Sequence, residues 1–167
     1  SSDVCSSDLL GMELFKRMAG VDIVHVPFKG SALSVAAMLA GDVQMMLIGT
    51  TTGLPLARSG KARAIAMAGA RRSPVAPELP TIAESGLPGY EISSWFGTVA
   101  PAATPAVVIA KLHGDFARAL QSPDLRDRLA PGGYEAIANT PAEFSRHMRA
   151  QSKRLAQVIR EAGIKPE

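Results

Sequence analysis

Three histidines, one cysteine and scattered carboxylates are the side chains from which this 167-residue sequence could build a reactive centre. His25 falls inside a short β-branched run, while His113 and His147 fall on amphipathic helical stretches. None has a Cys, Asp or Glu at a metal-ligand spacing such as HExxH. Glu78, Glu84 and Glu91 lie in a turn region, with no pattern of a paired acid and base. No Gly-x-Ser-x-Gly elbow is present, and Cys5 sits apart in an unusual leader. The sequence therefore predicts no catalytic residue, no cofactor and no metal site.

The strand-to-helix junctions carry more. "PFKGSA" (27–32) follows one predicted strand and runs straight into a helix. Around Phe28 and Lys29, the backbone N–H groups of Gly30 and Ser31 would sit at the positive end of that helix, where anions are favoured. "GTTTG" (49–53) follows a second strand, and brings Gly49 and the hydroxyls of Thr50, Thr51 and Thr52 to a second helix. Two such loops at the carboxyl ends of neighbouring parallel strands make a small polar pocket suited to a carboxylate. Spacing alone leaves a plain structural reading open, because any such loop needs caps and glycines. Lys29 either adds charge or is simply solvated. Trp95 and Phe96, in "SSWFG", either line a cleft or pack in a core.

The elements that must position these loops read as alternating strands and helices. A helix from Leu10 to Gly20 aligns Leu10, Leu14, Phe15 and Met18. "DIVHVP" (22–27), "VQMMLI" (43–48) and "ARAIAMAG" (62–69) read as strands that are apolar on both faces, the mark of a covered parallel sheet. Between them lie a helix over "SALSVAAMLAGD", with Ser31 as N-cap and Gly41 past its end, and a short helix over Leu54–Ser59. After Gly69 comes a Pro/Gly-rich stretch with room for one helical turn near Thr81–Ser85, then an extended segment over 90–101. Helices are predicted from Thr104-Pro105, from Ser122-Pro123-Asp124, and from the capping box Thr140–Glu143, with a short strand "YEAIAN" before the last.

Composition narrows the class. Apolar residues make up 47% and charged residues 20%, an ordinary globular balance. The net charge is +3, with Lys and Arg dispersed and no interleaved aromatics, which argues against nucleic acid as a partner. A single cysteine excludes an internal disulfide. No apolar run approaches the roughly 18–20 residues of a membrane span, so direct membrane insertion is not expected.

The order of "GVDIVHVPFKGSA", "GDVQMM", "GLPLARSGKARAIAM", "RRSPVAPELPTIAESGLPGYEISSWFG", "APAATP" and "REAGIK" resembles the substrate-binding receptors of tripartite tricarboxylate transporters, the Bug family. The likeness runs from Leu10 to Glu167. It implies an α/β, periplasmic-binding-protein-like fold of two lobes that close, flytrap-fashion, on a small organic carboxylate. It also implies delivery to membrane permease subunits, no cofactor and no reaction. A ligand-sensing role beside a signalling kinase and an enzyme on a similar scaffold are the alternatives. Residues 10–95 would be the second lobe, partial at its start, and 96–167 the crossover and C-terminal part of the first. Family members are about twice as long, so the signal peptide for periplasmic export is expected in a missing N-terminal part. Many members carry an acid where this chain has Ile48, which favours a plain carboxylate over an amino acid here.

The leader "SSDVCSSDL" stands where the family has a Gly/Ser/Thr-rich loop. It repeats Ser-Ser-Asp, and Cys5–Leu9 matches the translated end of a common short-read sequencing adapter, TGCTCTTCCGATCT. Residues 1–9 are therefore expected to be an adapter-derived artefact or a disordered leader, with Leu10 the first authentic residue.

Overall fold

A computed structural model describes residues 6–163, so Cys5 and the first half of the leader lie outside the described residues. The chain divides into two compact units, 6–94 with 157–163 and 95–156.

In the first unit, helix α1 (Ser6–Ala19) begins earlier than the expected Leu10. Asp8 lies in its first turn, where a carboxylate suits the helix dipole. Helix α2 (Ser31–Ala40) ends on Gly41 at φ 86°, as its sequence predicted. Helix α3 (Thr50–Arg58) starts well before the expected Leu54. Tyr90 holds α1 in place. It is 1% exposed, its hydroxyl donates to the Gly11 carbonyl at 3.1 Å, and its ring meets Phe15 edge-on at 6.2 Å. Gly11 is required at this crossing, because a Cβ there would collide with Leu47 and press on Ile92 at 3.4 Å.

The predicted strands 22–27 and 43–48 run without helix and without a ladder among the described residues. Pairing is confined to Met67 and Ala68. The Met67 N–H donates to the Pro80 carbonyl (2.8 Å), the Ile82 N–H to the Met67 carbonyl (2.9 Å) and the Ile92 N–H to the Ala68 carbonyl (2.8 Å), giving one parallel bridge between Met67 and Thr81. The apolar runs record which side chains favour burial; a ladder also needs a partner backbone about 4.8 Å away. Val24 is accordingly 83% exposed and Ile65 71%. The single helical turn expected near Thr81–Ser85 is present, closed by the Ser85 N–H donating to the Thr81 carbonyl (3.0 Å), and it carries a reciprocal cap. Its Thr81 N–H donates to Glu84 Oε2 (2.8 Å), the Glu84 N–H donates to Thr81 Oγ1 (3.0 Å), and Arg72 Nε donates to the same carboxylate (2.9 Å).

The second unit holds α4 (Ala106–Gln121), α5 (Pro123–Leu129) and a one-turn 3₁₀ segment at 130–132. It also holds α6 (Pro141–Glu161) as far as residue 156. The caps follow the sequence. Ser122 Oγ accepts from the Leu125 N–H at 3.4 Å, and Pro123 opens α5. At α6 the Thr140 N–H donates to Glu143 Oε2 (2.8 Å) while the Glu143 N–H donates to Thr140 Oγ1 (3.3 Å). "YEAIAN" forms no ladder, and Ala138 at φ 51° leaves the extended region that a strand requires.

Both capping carboxylates sit below their ordinary value of 4.5. Glu84 is lowered first by the Thr81 N–H and then by Arg72, and Glu143 first by the Thr140 hydroxyl and then by the Thr140 N–H. A depressed folded pKa adds stability that is present above the unfolded value and lost as pH falls through the folded one. Helicity followed by circular dichroism is therefore expected to fall as pH drops below about 4.5, with Glu143→Gln flattening part of that loss.

Candidate functional site

Helices α2 and α3 begin in a way that the other helices do not. The N-cap of α2 is Gly30, at φ 99° and ψ 156°, a conformation in practice reserved for glycine. The N-cap of α3 is Gly49. Neither cap offers a side chain to the first-turn N–H groups, and neither first turn contains an acid. By contrast α1, α5 and α6 carry Asp8, Asp124 and Glu143 at that position. Helix α4 also lacks an acid, but it opens with Pro105, Ala106 and Val107 and presents no hydroxyl.

The first turn of α2 presents exposed Ser31 and Ala32 beside half-buried Gly30 and Phe28, with Lys29 exposed. The Ser34 hydroxyl donates to the Ser31 carbonyl (3.0 Å). In α3 the Thr52 and Gly53 N–H groups both turn back to the Gly49 carbonyl (3.0 and 2.9 Å). The Thr50 and Thr51 N–H groups thus stand at the tip of the dipole. The residues read from sequence as a loop are therefore the first turn of the helix itself. Gly53 permits this entry, since a Cβ there would meet Ile48 Cγ2 at 2.9 Å. Pro55 has no N–H to give the Thr51 carbonyl, so the start of α3 is polar on both backbone groups.

Gly30, Ser31, Gly49, Thr50, Thr51 and Thr52 all belong to the first unit, whereas Trp95 and Phe96 belong to the second. Trp95 is 42% exposed and sits edge-on to Phe144 (5.5 Å, 82°) and His147 (5.3 Å, 81°). Phe96 is 81% exposed, with Tyr134 beside it at 5.8 Å. Gly97 completes this arrangement, because a Cβ there would strike the Phe144 ring. No local pattern announces that Phe144 and His147 support Trp95, since they are distant along the chain. His113 Nε2 is buried without a hydrogen-bond partner, and no three His, Cys, Asp or Glu among the described residues form a metal-binding group.

Gly30→Ala separates backbone demand from space, because a Cβ there meets nothing within 4 Å. The expected loss is about 1–3 kcal/mol, from the backbone conformation alone, measured by urea denaturation.

Three solved structures resemble this chain in fold and sequence. R. palustris Rpa4515 with adipate is 37% identical, with a TM-score of 0.85 over 100% of this chain and 56% of its own. MatC (Rpa3494) from Rhodopseudomonas palustris with bound malate is 32% identical, with a TM-score of 0.75 over 91% of this chain and 53% of its own. The periplasmic binding protein BugD is 30% identical, with a TM-score of 0.78 over 96% and 54%. The fold is that of a periplasmic binding protein, here as a partial two-lobe α/β architecture. The profile of the Tripartite tricarboxylate transporter family receptor matches residues 1–164, and the chain belongs to that family. It spans about half the length of the curated relatives it matches.

Proposed function

We propose that this chain is the ligand-holding part of a periplasmic receptor that captures a small organic dicarboxylate for a tripartite tricarboxylate-type transporter. The observation that carries this reading is the pair of glycine-capped, acid-free, hydroxyl-bearing helix starts at α2 and α3. Each offers N–H donors and a positive dipole end to one carboxylate, without a side-chain acid to compete for it. Adipate and malate in the similar structures belong to the same chemical class. No helix among the described residues is long and apolar enough to cross a membrane.

Gly30, Ser31, Gly49 and Thr50–Thr52 would hold the carboxylates, with Phe28 and Lys29 flanking them. Residues 10–95 would make up one lobe, and 96–167 the crossover and part of the other. Ile48 at the mouth of α3 supplies no charge for an amine, so adipate is preferred over 2-aminoadipate. Thermal melts test this. Adipate at a hundredfold excess over its Kd adds about 2.7 kcal/mol and raises the melting temperature by several degrees. Equal shifts with 2-aminoadipate would refute the assignment of Ile48, and no shift with any dicarboxylate would refute the function.

A further inference from the structure

We infer that the outer face of α6 is a docking surface for an acidic protein partner. Arg146, Arg149 and Lys153 follow one another at i, i+3 and i+7, which sets them within an arc of roughly 60° and about 10 Å along the axis. All three are exposed. Several helical cations elsewhere are matched by acids, Lys16 with Glu13, Lys111 and Arg118 with Asp115, and Arg128 with Asp124, while Arg58 and Arg126 donate to backbone carbonyls. On α6 the only acid within a turn of the stripe is Glu143, whose carboxylate is hydrogen-bonded to Thr140 and also feels the charge of Arg146. Neighbouring like charges at these spacings weaken an isolated helix. Arg149 and Lys153 have no acid within a turn of α6, so the stripe is a concentrated positive field that Glu143 offsets only at its Arg146 end.

The chemistry of the partner follows from what surrounds the stripe. Phe144, Met148 and Leu155 are withdrawn from full exposure, and the exposed residues between the cations are Ala150 and Ser152. A helix that lies in a lipid interface needs an outward apolar face to insert, and this one turns its apolar residues the other way. No exposed aromatic stands among the cations to stack on bases. A second copy of this chain, at net charge +3, is not complementary. Two arginines in a row favour planar carboxylates, which they grip in pairs. The occupant is therefore a carboxylate-bearing protein segment. This inference does not depend on which ligand the receptor holds.

The test uses the full chain and labelled poly-L-glutamate as the acidic probe, with anisotropy read at low and at physiological salt. The parent chain is expected to bind at low salt. The Arg146→Glu/Arg149→Glu/Lys153→Glu triple variant is expected to lose at least tenfold in affinity, and the milder Arg146→Gln/Arg149→Gln/Lys153→Gln set nearly as much. Unchanged circular dichroism would show that α6 survives. A control triple, Lys61→Glu/Arg63→Glu/Arg126→Glu, changes net charge equally and is expected to bind within twofold of the parent. Equal losses in stripe and control, absence of binding at low salt, or tighter stripe-dependent binding to phosphatidylglycerol vesicles or single-stranded DNA would each overturn the inference.

Discussion

Ser31→Asp and Thr51→Asp variants are expected to melt slightly higher than the parent chain, yet to bind adipate at least about a hundredfold more weakly. The two effects share one cause. Neither α2 nor α3 has an acid in its first turn. An aspartate there meets the positive end of the dipole and adds about 0.3–1 kcal/mol to the helix. The same carboxylate occupies the place proposed for the ligand's own. Two like charges about 4 Å apart repel by roughly 4 kcal/mol at an effective dielectric constant of 20. Ser31→Asn supplies a cap without the charge and is expected to bind far better than Ser31→Asp. Aspartate variants that gain stability and keep parental affinity would place the ligand elsewhere.

Tyr90→Ala is expected to cost about 3–5 kcal/mol, the range for removing a buried aromatic ring. Among the described residues, Tyr90 and Thr81 are the largest fully buried side chains, and few others are buried. Its ring supports Phe15, and its hydroxyl reaches Gly11 at the point where α1 crosses Leu47 and Ile92. With total stability for a domain of about 5–15 kcal/mol, the loss would leave little margin. Tyr90→Phe retains the ring and removes only the hydroxyl, so about 1 kcal/mol is expected. Urea unfolding of the two variants separates packing from hydrogen bonding. A Tyr90→Ala loss no larger than that of Tyr90→Phe would contradict the role given to the ring.

Helix boundaries were readable in the sequence wherever a local cap sets them. Ser122-Pro123, Thr140 with Glu143, and Gly41 are local devices that act within a few residues, and each stands where its pattern placed it. "GTTTG" misled because three β-branched threonines and two glycines are poor helix formers. In the first turn, where N–H groups have no helical partner, that weakness matters little, and α3 begins at Thr50. The strand segments were readable as apolar runs but not as ladders, since pairing depends on a second backbone. Trp95 shows the same limit at the site. Its neighbours Phe144 and His147 arrive from a helix that starts at Pro141, and no local pattern announces them.

The measurement that tests the central claim most directly is an amide-resolved nuclear magnetic resonance titration of the ¹⁵N-labelled chain with adipate. If α2 and α3 hold the carboxylates, the amides of Ser31, Ala32, Thr50 and Thr51 shift together and saturably, while those at the acid-capped start of α6 stay still. Saturable shifts confined to other amides, or none at all with any dicarboxylate, would contradict the account.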